Sequence, residues 1–156
     1  DARITGAEFN LRHSLRGLGR WGTYFTVFAN ATKLKLEGNQ QANFQSFIPT
    51  SGNWGASYSR KQISLVARWN YRGLDKRIAQ PAFGPDAFQY FKARTTLDLS
   101  LAWHFTTRLS LQASINNVFN VPQRTVYYGA ATPKYAQQFR TEEFGVPITV
   151  GIRGTF

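Results

Sequence analysis

The residues best suited to binding chemistry lie in a polar stretch near the C-terminus, residues 121–143. Aromatic rings offer a surface for stacking, and cations next to them favour an anionic partner. We therefore predict that this stretch is a loop that binds an anionic small molecule. Its candidate binding residues are Arg124, Tyr127, Tyr128, Lys134 and Tyr135. The alternative is that the rings only pack the loop against its neighbours, while the cations contact lipid phosphates.

The sequence offers little for catalysis or metal binding. There are no cysteines and two histidines, which excludes thiolate sites and disfavours a histidine metal site. Asp98 and His104 share one face of an alternating segment, but six extended residues separate them by ~20 Å, too far for an acid–base pair. Glu142 and Glu143 resemble a solvated acidic turn, because hard cations usually need about six to eight oxygen ligands. We predict that the protein is not an enzyme and has no metal or cofactor.

A glycine motif and the net charge each suggest a function that their context disfavours. Residues 17–22 spell G-x-G-x-x-G, but a dinucleotide site needs a helix after the motif, and an alternating pattern follows it here. The net charge is +11. Because basic residues such as Arg60, Lys61 and Arg108 lie between the alternating segments, we predict solvated turns near an anionic lipid surface rather than a nucleic-acid interface.

Alternation of apolar and polar residues indicates the elements that position these side chains. It is clearest over residues 91–105, 109–116 and 144–156, and weaker over residues 7–15, 21–31, 54–58 and 63–71. Successive side chains of a strand point to opposite faces, so each segment predicts a strand with one apolar face. No sustained helical periodicity occurs, and no apolar run approaches the ~18 residues of a spanning helix.

The connections between these segments alternate in length. Residues 16–20, 59–61 and 106–108 are short connections, whereas residues 36–47, 72–90 and 121–143 are long ones. Tight periplasmic turns and long extracellular loops give this alternation in transmembrane barrels. We therefore predict an all-β, antiparallel, up-and-down transmembrane β-barrel fragment of about seven strands, a number too small and odd for closure.

The alternation also predicts which side chains face lipid and which face the barrel lumen. The predicted lipid-facing residues are Phe91, Leu97, Leu99, Leu101, Leu111, Ile115, Val146, Ile148 and Val150. The predicted lumen-facing residues are Arg68, Lys92, Arg94, Asp98 and Arg153.

Several short motifs resemble those of one known family. Residues 116–120 read NNVFN, similar to the N-N-[LV]-F-[DN] element of TonB-dependent receptors, and residues 4–9, 28–32 and 69–73 resemble other family elements in the expected order. The ending resembles the signal read by the barrel-assembly machinery, with Gly151 and the terminal aromatic Phe156. Gly154 departs from the hydrophobic residue usual at its position.

The resemblance implies a larger protein with a known architecture. Family members are barrels of ~22 strands plugged by an N-terminal domain, and residues 1–156 would be the C-terminal part of such a barrel, without the plug. The family imports a scarce ligand, such as a ferric siderophore, cobalamin or an oligosaccharide, across the outer membrane of a Gram-negative bacterium. The implied partners are the TonB complex (through the missing plug), outer-membrane lipid and lipopolysaccharide, the barrel-assembly machinery, and a small ligand such as an iron chelate, but no nucleic acid.

Two alternatives remain open at this point. One is a complete small outer-membrane barrel with a structural or adhesive role, which an eighth strand hidden in residues 36–47 or 121–143 would favour. The other is a soluble, basic β module that binds nucleic acid, which would fold without detergent and show salt-dependent affinity.

Overall fold

The computed structural model describes residues 2–38 and 47–154 and is built almost entirely from β-strands. The strands are β1 (Ala2–Ser14), β2 (Phe25–Gly38), β3 (Thr50–Arg60), β4 (Ile63–Arg72), β5 (Asp75–Ala79), β6 (Phe88–Phe91), β7 (Arg94–His104), β8 (Leu109–Ile115), β9 (Gln123–Tyr128), β10 (Gln138–Glu142) and β11 (Ile148–Gly154). Short 3-10 turns occupy Leu15–Leu18, Gly22–Tyr24, Pro81–Phe83 and Lys134–Ala136. Within the described ranges, no helix has the length and hydropathy needed to cross a membrane.

Seven strands form the main sheet, in the order β1-β2-β3-β4-β7-β8-β11. Every neighbouring pair is antiparallel. This up-and-down order confirms the predicted all-β antiparallel architecture and its seven wall strands. The sheet is open, with β1 and β11 at its two edges.

The last two long connections form a second sheet, in the order β10-β9-β6-β5. Each of these strands adjoins in sequence a strand of the main sheet, and the order matches that of β11, β8, β7 and β4. The hairpins therefore extend the wall beyond the main sheet. Residues 72–90 and 121–143, predicted only as long connections, contain strands, because each stretch pairs its own backbone and that of the other. Neither stretch adds an eighth strand to the main sheet, and residues 39–46 lie outside the described ranges.

Two predicted strands were too long. The strand predicted over residues 91–105 breaks at Lys92 and Ala93, so Phe91 belongs to β6 in the second sheet, where it pairs with Thr125. Likewise Val146 precedes β11 and is not part of the main sheet. Residues 17–22 lie in the turns between β1 and β2, as predicted for this glycine motif.

The register separates two kinds of side chain onto opposite faces of the main sheet. One cross-strand row, at a single level of the sheet, consists of Ala67, Leu99, Ile115 and Ile148, and the next apolar row consists of Leu65, Leu101, Ala113 and Val150. Between them runs the row of Val66, Ser100, Ser114 and Thr149 on the other face. The predicted apolar and polar sets thus share no face within the main sheet. That the apolar face meets lipid stays a prediction.

Gly55 allows one close contact on the polar face. It lies between Phe28 and Arg68 in register, and the Arg68 guanidinium carbon is 5.7 Å from the centroid of the Phe28 ring. A Cβ atom on Gly55 would overlap the backbone oxygen of Ala67 and lie 2.9 Å from Cζ of Phe28. The missing side chain therefore lets the Phe28 ring approach and the cation stack on it.

We predict that Gly55→Ala lowers the free energy of unfolding by about 1–3 kcal/mol, since overpacking must displace backbone as well as a ring. Gly17→Ala is the matched control, because nothing lies within 4 Å of a Cβ built there. Urea titration of the full chain in detergent measures both variants. Equal stability of the two would show that the Gly55 contact relaxes without cost.

Candidate functional site

The NNVFN segment is a turn that hydrogen bonds from the side chain of Asn117 hold closed. Asn117 and Asn120 have positive φ angles of 51° and 48°, a region that asparagine tolerates better than most residues. The Asn117 amide bonds both backbone groups of Val121: its Oδ1 accepts from the Val121 N–H at 2.9 Å, and its Nδ2 donates to the Val121 carbonyl at 3.1 Å. The turn thereby fixes the direction in which the chain enters β9.

Asp98 attaches this turn to the main sheet. Its Oδ1 accepts from the backbone N–H of Asn117 at 2.9 Å, and its Oδ2 accepts from Nδ2 of Asn70 at 2.7 Å. A backbone bond from Val118 N–H to the Leu97 carbonyl, 2.8 Å long, adds a second attachment. One carboxylate thus joins β4, β7 and the start of the second sheet.

A fully buried carboxylate stabilises the other junction between the sheets. Asp75 has no exposed surface, and its Oδ2 lies 2.7 Å from Nη2 of Arg72 and 3.6 Å from Nη1 of Arg77. Arg72 ends β4 and Asp75 begins β5, so the pair spans the point where the wall passes from one sheet to the next. Without Arg72, the buried Asp75 carboxylate would keep only the more distant Arg77 as a compensating charge.

Two stacked tyrosines form the surface of the second sheet beside these junctions. The rings of Tyr90 on β6 and Tyr128 on β9 are 4.3 Å apart at an interplanar angle of 20°. Val126, which is 2% exposed, lies opposite Tyr90 in register. Burial, and then the neighbouring Tyr128, raise the pKa of Tyr90. Its hydroxyl therefore stays protonated at neutral pH and adds no negative charge.

Two adjoining clefts open at this surface. The first, here the tyrosine cleft, has a volume of about 430 Å³ and is lined by Leu74, Tyr90, Lys92, Val126, Tyr128, Lys134 and Gln137. The second, here the arginine cleft, has a volume of about 330 Å³ and is lined by Lys92, Ala93, Arg94, Thr95, Val121, Pro122 and Arg124. Lys92 lines both. Among these described lining residues there are four cations and no carboxylate, so the clefts favour an anion.

A family model described as TonB dependent receptor-like, beta-barrel matches residues 1–118. The chain belongs to this family of outer-membrane receptors. No curated protein and no solved structure matches it. The match confirms the resemblance inferred from the motifs and includes the first three residues of the NNVFN turn.

The receptor barrel segment brings together only part of the predicted binding set. Tyr128 and Lys134 line the tyrosine cleft and Arg124 lines the arginine cleft. Tyr127 points to the opposite face of β9, where its ring stacks on Phe83 at 5.2 Å. Tyr135 is 91% exposed and lines neither cleft. Alternation along β9 thus divides its two tyrosines between opposite faces, and a ligand-binding role for the five residues stays a prediction.

The predicted lumen-facing residues of the receptor segment have more varied surroundings. Lys92 and Arg94 line the clefts, whereas Arg68 stacks on Phe28. Arg153 pairs in register with Ser110 on β8. The assignment of these residues to a lumen stays a prediction.

Of the two residues of the predicted assembly signal, the structure describes Gly151. Gly151 pairs with Gln112, and a Cβ built on Gly151 would meet nothing within 4 Å. Phe156 lies outside the described residues. Recognition of this end by assembly machinery stays a prediction.

Sequence reasoning did not find Tyr90 or the attachment of the turn. Tyr90 precedes the segment in which alternation was clear, and its partner Tyr128 is distant in sequence. Only the pairing of β6 with β9 brings the two rings together. An available signal was that the last two long connections each contain a tyrosine next to β-favouring residues, Tyr90 and Tyr128.

We predict that Asp98→Ala weakens the attachment of the turn and lowers the free energy of unfolding by about 2–5 kcal/mol, because two donors lose their acceptor. Ser100→Ala, on the same face of β7, serves as the control and should change stability by less than about 1 kcal/mol. Hydrogen exchange at the amides of Asn117 and Val118 should accelerate in Asp98→Ala alone. Unchanged exchange there would show that the turn holds without Asp98.

Proposed function

We propose that this chain forms part of the barrel wall of a TonB-dependent transporter in the outer membrane of a Gram-negative bacterium, and that it contributes to the recognition of a scarce anionic ligand. The observation that supports the ligand proposal is the pair of adjoining clefts: Lys92 and Lys134 line the cleft that contains the stacked tyrosine pair, Arg94 and Arg124 line the other cleft with Lys92, and no carboxylate is among the described lining residues. Family membership supports the receptor itself.

The main sheet has the composition of a wall that contacts lipid. Its apolar face exposes large side chains on most strands, including Leu11, Trp54, Leu65, Trp103 and Ile152. A soluble domain would cover such a face, whereas a transmembrane wall leaves it exposed to hydrocarbon and satisfies its backbone groups between strands. In this proposal the second sheet lies on the extracellular side, at the end where the long connections meet.

The clefts have the chemistry of a polar contact surface for an anion. Lysine and arginine side chains form charge-assisted hydrogen bonds to carboxylate, phosphate or phenolate oxygens. The exposed side of the tyrosine pair offers stacking area and, from Tyr90, a protonated hydroxyl. An anionic iron chelate is one ligand with these properties. As the family implies, TonB would act through a plug domain, and lipid and the barrel-assembly machinery would be further partners.

We predict that Leu99→Arg lowers stability in a bilayer by ~2–4 kcal/mol, because it puts a charge into hydrocarbon near the midplane. Ser100→Arg should cost much less, since Ser100 lies on the opposite face. Folding of the intact receptor that contains this chain into phosphatidylcholine vesicles, titrated with guanidinium chloride, measures the difference. Equal costs would refute the assignment of the apolar face to lipid.

We predict that combining Arg124→Gln, Tyr128→Ala and Lys134→Gln weakens the binding of an anionic chelate on the order of tenfold or more, because two charge-assisted contacts and one stacking surface are lost. Ferric citrate is the probe, followed by the intrinsic fluorescence of the full chain in detergent.

The matched control for this variant combines Tyr127→Ala, Tyr135→Ala and Arg140→Gln. These residues belong to the same loop and to similar types but line neither cleft. Equal affinity of the two variants would place recognition elsewhere. No binding by the parent protein would exclude ferric citrate as a ligand.

A further inference from the structure

Towards the end of the β1–β2 hairpin where Ala2 pairs with Gly38, the apolar face becomes charged and the polar face becomes apolar. On the apolar face, Leu11 pairs with Ala29 and Phe9 pairs with Ala31. One row further along the same face, Ala7 pairs with Lys33, and the rows beyond join Thr5 with Lys35 and Arg3 with Glu37. The apolar face therefore becomes a charged face within a single row.

The opposite face changes in the reverse sense. It begins with the polar rows of Arg12 with Phe28, Asn10 with Asn30 and Glu8 with Thr32. It then carries Gly6 with Leu34 and Ile4 with Leu36. A Cβ built on Gly6 would overlap Cδ2 of Leu34, which places the Leu34 side chain on this face. If the end of the hairpin were simply surrounded by water, both faces would be polar.

We infer that Arg3, Lys33 and Lys35, here named the basic rim, bind the phosphate groups of anionic lipids at the outer boundary of the membrane. This inference rests on the proposed function, which places the neighbouring apolar face against hydrocarbon. Among the described residues of these rows, the three cations of the rim are accompanied by one carboxylate, Glu37, whose Oε1 lies 2.6 Å from Nζ of Lys35. The surplus positive charge favours an anion.

The distance along the strand between the apolar rows and the basic rim favours a lipid headgroup as the ligand. Lys33 follows Ala31 by two residues, which is ~7 Å of extended chain. The headgroup region of a bilayer leaflet is roughly 5–8 Å thick. A cation at that height meets phosphate while the acyl chains of the same lipid cover Phe9 and Leu11 below it. A soluble phosphate would gain only the first of these contacts.

The experiment measures binding of lipid A, a phosphorylated glycolipid, to the full chain in neutral detergent by native mass spectrometry. The test variant combines Arg3→Gln, Lys33→Gln and Lys35→Gln. The control variant, Arg16→Gln with Lys61→Gln and Arg108→Gln, removes as much charge at the opposite end of the strands. We expect the test variant to bind lipid A on the order of tenfold more weakly, and the control to bind like the parent protein.

Lys33→Arg with Lys35→Arg keeps the charge and should keep the affinity, which separates loss of charge from loss of folding. Dephosphorylated lipid A should bind the parent as weakly as lipid A binds the test variant. Equal affinities of the test and control variants would overturn the inference. So would equal affinity of the parent for lipid A and for soluble glucosamine phosphate. Failure of the intact receptor that contains this chain to insert into vesicles would instead refute the proposed function.

Discussion

If β7 slipped by one residue against β4, Asp98 would move to the apolar face and Leu99 would move to the polar one. Side chains alternate with a period of two, so the hydrogen-bonded register decides every facing in the sheet at once. In hydrocarbon the constraint is stricter, because an unpaired amide or carbonyl finds no water. The row of Asn10, Asn30, Asn53, Asn70 and Thr96 illustrates how the register keeps like side chains at one level across five strands.

The second sheet depends on this register through Asp98. Because Asp98 lies on the polar face, its carboxylate can accept from both Asn70 and the turn at Asn117. The turn then directs the chain into β9, which pairs with β6 and brings Tyr128 against Tyr90. The clefts therefore result from strand pairing that continues beyond the main sheet, and their lining residues come from two segments far apart in sequence, residues 74–95 and 121–137.

The main sheet was largely predictable because each of its strands shows the alternation of apolar and polar residues within its own sequence. In a strand such as β7, the alternation over eleven residues is enough to assign an apolar and a polar face. The alternation stops at the turns beside the strand. The second sheet was not predictable in the same way. Its strands β5 and β6 have five and four residues, too few for a period to show, and β5 contains a register shift between Lys76 and Ala79. The same difference between local patterns and long-range pairing applies to the residues that line the clefts. Tyr128 and Lys134 were identified from composition, whereas Tyr90 depends on pairing between distant segments, and the face of β9 on which Tyr127 lies was not predicted.

The cations of this chain have different surroundings, and this explains why net charge alone was a poor guide to function. Arg68 stacks on an aromatic ring, Arg72 pairs with a buried carboxylate, and Lys92 lines both clefts. A cation that stacks on a ring or pairs with a buried carboxylate contributes to the fold, because the protein itself provides its partner. A cation in an acid-free cleft has its charge available to a ligand. The register thus determines which of the basic residues pair with other groups of the protein and which are available to bind a ligand.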